Sequence, residues 1–200
     1  EELIKKKELP KGLNVTIPYK KEVIPFLNNL SKEAKVINAV NTIVWDKNGK
    51  TTGHNTDHTG FEKSLLELID KPLKRALILG TGGASGAIKY VLDKLQCQAI
   101  FVSRTPQKKQ LSYAALNKAE IERTDLIINT TPLGTFPDID ECPPIPYQWI
   151  NKNHLLFDLI YNPEETLFLK KGKKEGAKVS NGSKMLLYQA EKAWELWNIN

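Results

Sequence analysis

The stretch RALILGTGGASGAIKYVLDKLQ, residues 75–96, decides the fold class of this chain. It begins with an apolar run without polar alternation, which is typical of a strand buried on both faces of a parallel sheet. A glycine-rich turn follows at residues 80–86, and the apolar spacing after it predicts a helix. Strand, turn and helix in this order indicate one unit of an open α/β sheet.

Three later segments repeat the buried-strand pattern and predict further parallel strands: AIFVSR (99–104), DLIINTTP (125–132) and LLFDLIY (155–161). The last segment, residues 181–197, has the periodicity of an amphipathic helix. We therefore expect an α/β fold with a Rossmann-type doubly wound parallel sheet, next to a smaller unit formed by the first 60 residues.

The smaller unit has its own local signals. They predict a helix end at residues 3–9, a strand at 14–17, a helical turn from Pro18, a short helix at 25–35, a hairpin formed by 39–45 and 50–56, and a helix at 61–69.

Composition limits the class of protein. With 40% hydrophobic and 26% charged residues, the chain resembles an ordinary globular domain, and it has no apolar run of the ~20 residues that a membrane span needs. Two cysteines, Cys97 and Cys142, lack a disulfide-framework or metal-ligand spacing, which favours the reducing cytoplasm. The three histidines form no zinc pattern, so no metal site is expected.

The net charge of +6 is spread over scattered lysine pairs and triplets that are not interleaved with aromatic residues. A nucleic-acid groove would combine the two, so we expect neither a nucleic-acid nor a membrane partner. A small molecule is the expected ligand, and the expected oligomeric state is a monomer or homodimer.

The glycine-rich turn predicts a phosphate site. Gly80 allows a tight exit from the strand, and Gly82 lets the backbone approach a pyrophosphate that the helix N-terminus favours. The match is imperfect because Ser85 stands at the third glycine position, with Gly86 after it. The alternative is a plain tight loop without a ligand.

The next strand indicates which dinucleotide would bind. An NAD site places an acidic residue there for the ribose 2′-OH, whereas this chain has Arg104, with Lys108 and Lys109 close behind. Cationic groups suit a 2′-phosphate, so the pattern favours NADP over NAD. The alternative is a solvated basic loop.

Lys20 and Asp57 are the candidates for proton transfer. Hydride transfer to a ketone develops negative charge on the carbonyl oxygen, which a positioned ammonium can stabilise and protonate. Lys20 follows a turn stiffened by Pro18, and Asp57 begins a helix. The alternatives are a surface lysine and a helix N-cap.

Other polar side chains are consistent with a hydroxylated substrate. Gln189 borders the apolar stripe of the last helix, where its amide needs either a ligand or a backbone partner. Asn14, Thr16 and Asn41 add polar groups on strand faces.

A set of motifs resembles the shikimate dehydrogenase family, in the same order along the chain: NVTIPYK (14–20), AVNT (39–42), NTD (55–57), LGTGGA (79–84), SRT (103–105), INTTPLG (128–134), DLIYNPEET (158–166) and NGSKMLLYQA (181–190). The resemblance implies reduction of 3-dehydroshikimate to shikimate with NADPH, on the route to aromatic amino acids.

The resemblance also implies roles for individual residues. It makes Lys20 the catalytic lysine and Asp57 its partner, which also contacts the substrate. The implied substrate residues are Thr16, Asn41, Asp57, Tyr161 and Gln189. The implied cofactor residues are Gly80, Gly82, Gly83, Ala84, Arg104, Thr105 and Lys108.

The implied domains are a substrate-binding domain at 1–61, an NADP-binding Rossmann domain at 62–178, and a C-terminal helix at 179–200 that returns to the first domain across a cleft. The chain departs from the family at Ser103, where asparagine is usual, and at His58, where glycine is common and an imidazole near the cleft would alter substrate fit.

A larger departure concerns the family's serine-rich motif, which holds the substrate carboxylate and has no counterpart in this sequence. We therefore expect a fragment with a partly missing substrate domain. Two alternatives follow: a quinate/shikimate dehydrogenase with relaxed substrate or NAD use, and a non-catalytic dinucleotide-binding fragment.

Overall fold

The computed structural model describes residues 11–198 of the chain, so the helix end predicted at 3–9 lies outside the described residues. Two sheets with separate cores organise the described part. The first part of the chain forms the small sheet with helix α1, followed by helix α2: β1 (Gly12–Asn14), β2 (Asn29–Leu30), α1 (Lys32–Ile37), β3 (Thr42–Trp45), β4 (Thr51–His54) and α2 (Asp57–Leu66).

The large sheet confirms the predicted α/β fold. Its elements, with the closing helix, are β5 (Arg75–Leu79), α3 (Ser85–Lys94), β6 (Gln98–Ser103), β7 (Leu111–Ser112), α4 (Lys118–Glu122), β8 (Leu126–Asn129), β9 (Leu155–Asp158), α5 (Leu167–Lys174), β10 (Lys178–Ser180) and α6 (Ser183–Asn198). The strands run in the order β10-β9-β8-β5-β6-β7, and every pair is parallel.

Helices cover both faces of this sheet, which explains the unbroken apolar pattern of β5. Ile78 faces a core shared with α2, α3 and α6, whereas Leu77 and Leu79 face a core shared with α4 and α5. The strand order reverses between β5 and β8, because β6 lies on the other side of β5. Open α/β sheets bind ligands at such a reversal, beyond the carboxyl ends of the strands.

The small sheet has the order β1-β3-β4-β2 and contains the predicted hairpin. Thr42 pairs with His54 and Trp45 with Thr51 in the antiparallel register of β3 and β4. The turn is closed by Asp46, whose Oδ1 accepts hydrogen bonds from the backbone N–H groups of Asn48 and Lys50.

The strand predicted at 14–17 was misplaced, since β1 covers Gly12–Asn14 and the chain turns after Thr16. Ladder pairing stops at Val15, whose N–H donates to the Asn41 carbonyl, and Pro18 has no N–H to extend it. The last helix of this unit starts at Asp57, as expected for that residue, and it ends at Leu66, three residues before the end of the periodic segment 61–69.

The helix predicted at 25–35 was also wrong. Pro25 opens only a single 3-10 turn, and the chain then extends into β2, where the Asn28 side chain pairs with Thr51. The helix begins after Ser31, whose hydroxyl accepts the Ala34 N–H. A serine N-cap is a stronger helix start than the proline seven residues before the helix.

The closing helix α6 lies against α2 and reaches the small sheet. At Gly60 of α2, a Cβ atom would lie 2.4 Å from the Met185 carbonyl oxygen, so the two helices approach this closely only because residue 60 is glycine. At the other end of α6, the indole Nε1 of Trp197 donates to the Ile43 carbonyl of β3 at 3.2 Å. No helix within residues 11–198 is long and apolar enough to cross a membrane.

Candidate active site

A cavity of about 350 Å³ is lined by residues next to the small sheet and by residues that follow strands of the large sheet. Its lining comes from six places along the chain: the segment around the end of β1, the residue before β3, the start of α2, the turn after β5, the loop after β9, and α6 with the residue before it. All six residues predicted to be catalytic or to bind the substrate line it: Thr16, Lys20, Asn41, Asp57, Tyr161 and Gln189.

Lys20 and Asp57 form an ion pair in the wall of this cavity. The Lys20 Nζ lies 2.6 Å from the Asp57 Oδ2, and the two side chains are only 13% and 9% exposed. Asp57 is the first residue of α2, where the partial positive charge of the helix N-terminus favours a carboxylate. The contact holds the ammonium in one place at the cavity wall, although 36 residues separate the two partners in the sequence.

Asn41 fixes the other oxygen of the carboxylate. Its Nδ2 donates to the Asp57 Oδ1 at 2.8 Å, and its own Oδ1 accepts the Thr56 backbone N–H at 2.7 Å. The amide therefore has a defined orientation, with the oxygen held by the backbone and the nitrogen on the acid. Both oxygens of Asp57 are bound, one by an amide and one by an ammonium.

Gln189 joins the same network from α6. Its Nε2 donates to the Leu186 carbonyl at 3.1 Å, and its Oε1 accepts from the Thr56 hydroxyl at 3.3 Å and from the Asn41 Nδ2 at 3.4 Å. The Gln189 amide therefore has a backbone partner, which was one of the two alternatives predicted for it. The same side chain also borders the cavity. Tyr161 is 52% exposed and lies at the rim with Thr16.

Two buried threonines of this network were missed as site residues. Thr42 is fully buried and donates to the Asn41 Oδ1 at 3.1 Å, and Thr56 is 1% exposed between Asn41 and Gln189. Both stand in motifs that the sequence analysis quoted, AVNT and NTD. In the sequence, each appears only as a polar residue next to an apolar strand. That pattern does not show whether the hydroxyl faces solvent or a buried amide.

His58 does not line the cavity, contrary to the expectation that its imidazole would alter substrate fit. Its ring packs edge-on against Tyr90 of α3, with centroids 5.3 Å apart. Burial lowers the pKa of His58, with the Glu33 carboxylate opposing that shift.

A second cavity, of about 540 Å³, lies beyond the carboxyl ends of β5, β6 and β8, at the reversal of strand order. Gly80 and Gly82 line it, and the positive φ of 99° at Gly80 requires glycine there. A Cβ atom at Gly80 would also lie 2.9 Å from the Thr131 side chain. The Ser85 hydroxyl donates to the Gly82 carbonyl at 2.7 Å and closes the turn at the start of α3.

The basic loop after β6 forms one wall of this second cavity. Arg104 and Thr105 line it, whereas Lys108 is exposed on the same loop outside the wall. The opposite wall is the loop after β8, residues 130–133. A glycine turn that admits no Cβ, a helix N-terminus and a guanidinium fit a phosphorylated dinucleotide.

The glycine turn separates the two cavities. Gly80 and Gly82 line the second cavity, while Ala84 lines the first. Between them, a Cβ atom at Gly83 would lie 3.9 Å from the Lys20 side chain. A ligand on the turn would therefore lie next to the lysine that lines the other cavity.

Asp158 is an ionisable residue that stabilises the fold. Burial raises the pKa of Asp158, at the end of β9, to about 6, although hydrogen bonds from Thr166, Ile160 and Asn129 oppose the shift. This carboxyl ties β8 and the start of α5 to the end of β9. Among residues 11–198, no group of His, Cys, Asp and Glu side chains is arranged to hold a metal ion.

Comparisons with known proteins identify a family model, relatives and solved structures that this chain resembles. The family model of the shikimate dehydrogenase substrate binding domain matches residues 2–43. A shikimate dehydrogenase (NADP(+)) from Desulforamulus reducens is 41% identical over 207 residues, which cover 93% of this chain and 70% of that protein.

Solved structures are similar over nearly the whole chain. The shikimate 5-dehydrogenase of Thermus thermophilus, in complex with NADP(H) and shikimate, has a TM-score of 0.85 and 30% identity, covering 98% of this chain and 75% of that one. A quinate dehydrogenase of Corynebacterium glutamicum in complex with NAD has a TM-score of 0.84 and 29% identity, covering 94% and 72%.

Proposed function

The chain belongs to the shikimate dehydrogenase family, and from that premise we propose that Lys20 and Asp57 are its catalytic pair. The enzyme is an NADP-dependent oxidoreductase that reduces 3-dehydroshikimate to shikimate in the biosynthesis of aromatic amino acids. The expected family, fold, activity and cofactor are thereby confirmed. The roles of single residues remain proposals.

The observation that supports the catalytic pair is the ion pair at the cavity wall. NADPH supplies the hydride when it is bound. The Lys20 ammonium, held 2.6 Å from Asp57, donates a proton to the developing oxyanion and stabilises its charge. Asp57 positions Lys20 and, with Asn41, presents hydrogen-bonding groups to the hydroxyls of the substrate.

We propose that the other lining residues orient the ring. Gln189, Thr16 and Tyr161 border the same cavity as the ion pair and offer amide and hydroxyl groups to a polyhydroxylated substrate. In the second cavity, the turn from Gly80 through Ala84 would hold the pyrophosphate, and the loop with Arg104, Thr105 and Lys108 would hold the 2′-phosphate.

A paired substitution of neighbouring lysines tests the catalytic assignment. Lys20→Ala should lower kcat by about a hundredfold or more and leave the Kd for NADPH nearly unchanged, because it removes the group that donates a proton to the reacting oxygen during reduction and accepts it during oxidation. Lys21→Ala is the matched control, since Lys21 is exposed and does not line the cavity. The assay follows nicotinamide absorbance with shikimate and NADP⁺, and with quinate in parallel.

Equal loss of turnover in both variants, or loss of NADPH binding in Lys20→Ala, would contradict the assignment. A faster reaction with quinate than with shikimate would favour the alternative substrate. Retained NADPH binding without any binding of shikimate would favour the non-catalytic alternative.

We further propose the domain division at 1–61, 62–178 and 179–200. It is supported by the two sheets, which lie within residues 12–54 and 75–180, and by the Trp197 contact from α6 to β3. The free thiols of Cys97 and Cys142 support a cytoplasmic location. A monomer or homodimer is the proposed oligomeric state.

A further inference from the structure

One aromatic side chain in the wall of the second cavity has not yet been assigned a role. Tyr113 lines this cavity together with Arg104 and Thr105. It is the only aromatic residue among the described residues that line it. The other lining groups are small, aliphatic or cationic, so the ring is the one flat apolar surface offered to a ligand there.

The local structure holds Tyr113 in that place. Tyr113 follows the edge strand β7, in which Ser112 pairs with Ser103 of the parallel strand β6. The next residues along the two strands are Tyr113 and Arg104, so these two lie side by side. The Ser112 hydroxyl accepts the Ala115 N–H and closes a 3-10 turn that begins at Tyr113. The ring is half-buried because part of it packs on the core shared with α4 and α5.

The position relative to Arg104 indicates which part of the cofactor would meet the ring. Arg104 is the proposed partner of the 2′-phosphate, and in NADP that phosphate and the adenine are attached to the same ribose. The nicotinamide must instead reach the first cavity, where Lys20 lies, on the other side of the glycine turn. The base next to Arg104 is therefore adenine.

We infer that Tyr113 is the residue on which the adenine ring of NADP packs, and that it sets the affinity for the adenosine half of the cofactor. The inference rests on the proposed cofactor site and adds a residue to it. An aromatic face suits a base because stacking buries both flat surfaces without requiring a particular hydrogen bond.

The test uses adenosine 2′,5′-bisphosphate, which carries the adenine and the 2′-phosphate but no nicotinamide. Its Kd is measured by calorimetry with the full chain and with Tyr113→Phe and Tyr113→Leu. Phenylalanine keeps the ring and should stay within about twofold of the unsubstituted chain, whereas leucine keeps apolar bulk without a flat face and should bind about tenfold more weakly. In turnover, Tyr113→Leu should raise the KM for NADP⁺ and leave the KM for shikimate unchanged.

A Tyr113→Leu variant that binds the bisphosphate as tightly as the unsubstituted chain would overturn the inference. So would an equal loss in Tyr113→Phe, which would assign the effect to the hydroxyl. If the unsubstituted chain failed to bind the bisphosphate, the proposed cofactor site itself would be wrong, and the inference with it.

A measurement without substitutions covers the case in which the leucine variant does not fold. Tetranitromethane nitrates accessible tyrosines, and peptide masses report each site. The bisphosphate should protect Tyr113 and leave Tyr19, which is 59% exposed and outside the second cavity, unprotected. Nitration of Tyr113 at the same rate with saturating bisphosphate would overturn the inference.

Discussion

Asp158→Asn should change how the stability of the fold depends on pH. Burial raises the pKa of this carboxyl in the folded chain to about 6, from 3.8 in the unfolded chain. Between these two values the folded state binds more protons than the unfolded state, so the free energy of unfolding falls as the pH rises. A difference of 6 − 3.8 = 2.2 units corresponds to about 3 kcal/mol.

The stabilising contribution of the protonated acid is therefore fully present below pH 3.8 and lost as the pH rises through about 6. Asparagine does not titrate, so the variant should lack this part of the pH dependence. The assay is urea unfolding of both chains at several pH values from about 4 to 7.5, followed by tryptophan fluorescence.

The quantity compared is the difference in the free energy of unfolding between the two chains at each pH, because other titrating groups contribute equally to both. That difference should change by about 2.5 kcal/mol across the range, in the direction that favours the variant as the pH rises, because a small part of the full contribution is already lost at pH 4. A difference that is independent of pH, or that favours the unsubstituted chain at higher pH, would refute the reasoning.

Three further substitutions have defined outcomes. Gly60→Ala places a Cβ 2.4 Å from the Met185 carbonyl, so it should cost about 1–3 kcal/mol in the free energy of unfolding and raise the KM for shikimate more than that for NADP⁺; unchanged values of both would contradict the close helix approach. Arg104→Ala should lower the preference for NADP⁺ over NAD⁺ by about tenfold or more, since a charged hydrogen bond to the 2′-phosphate is lost, and an unchanged kcat/KM ratio for the two cofactors would count against that contact. Ser31→Ala removes the N-cap of α1, the hydrogen bond from the Ala34 N–H to the Ser31 hydroxyl. It should lower the free energy of unfolding in urea by about 1 kcal/mol without changing either KM.

The large sheet was predictable because its signals are local. The β5 strand, the glycine-rich turn and α3 were identified from residues 75–96, since burial on both faces, the turn and helical spacing each leave a pattern in consecutive residues. The β3–β4 hairpin was equally predictable, because the residues of its turn, around Asp46, are a local signal as well.

The errors in the small unit have non-local causes. Residues 25–35 have helical spacing, but the Asn28 side chain pairs with Thr51, 23 residues away, and draws this segment into the sheet. No local propensity reports such a partner. The helix therefore begins only after Ser31, whose hydroxyl accepts the Ala34 N–H.

The candidate site was predictable only in part. From spacing alone, Lys20 was equally consistent with a surface lysine and Asp57 with a helix N-cap. The family resemblance is what identified the two as a pair. Thr42 and Thr56 were missed because a buried hydroxyl has the same sequence signature as an exposed one. Tyr113 was missed because its place in the cavity depends on the pairing of the short strand β7 with β6.

The glycine turn that separates the two cavities would be a common border for two bound ligands. Gly82 lines one cavity and Ala84 lines the other, and a Cβ atom at Gly83, between them, would lie 3.9 Å from the Lys20 side chain. If a dinucleotide seated on the turn changes the affinity for shikimate by some factor, linkage requires shikimate to change the affinity for the dinucleotide by the same factor. Titrating either ligand in the presence of the other therefore measures one and the same coupling free energy.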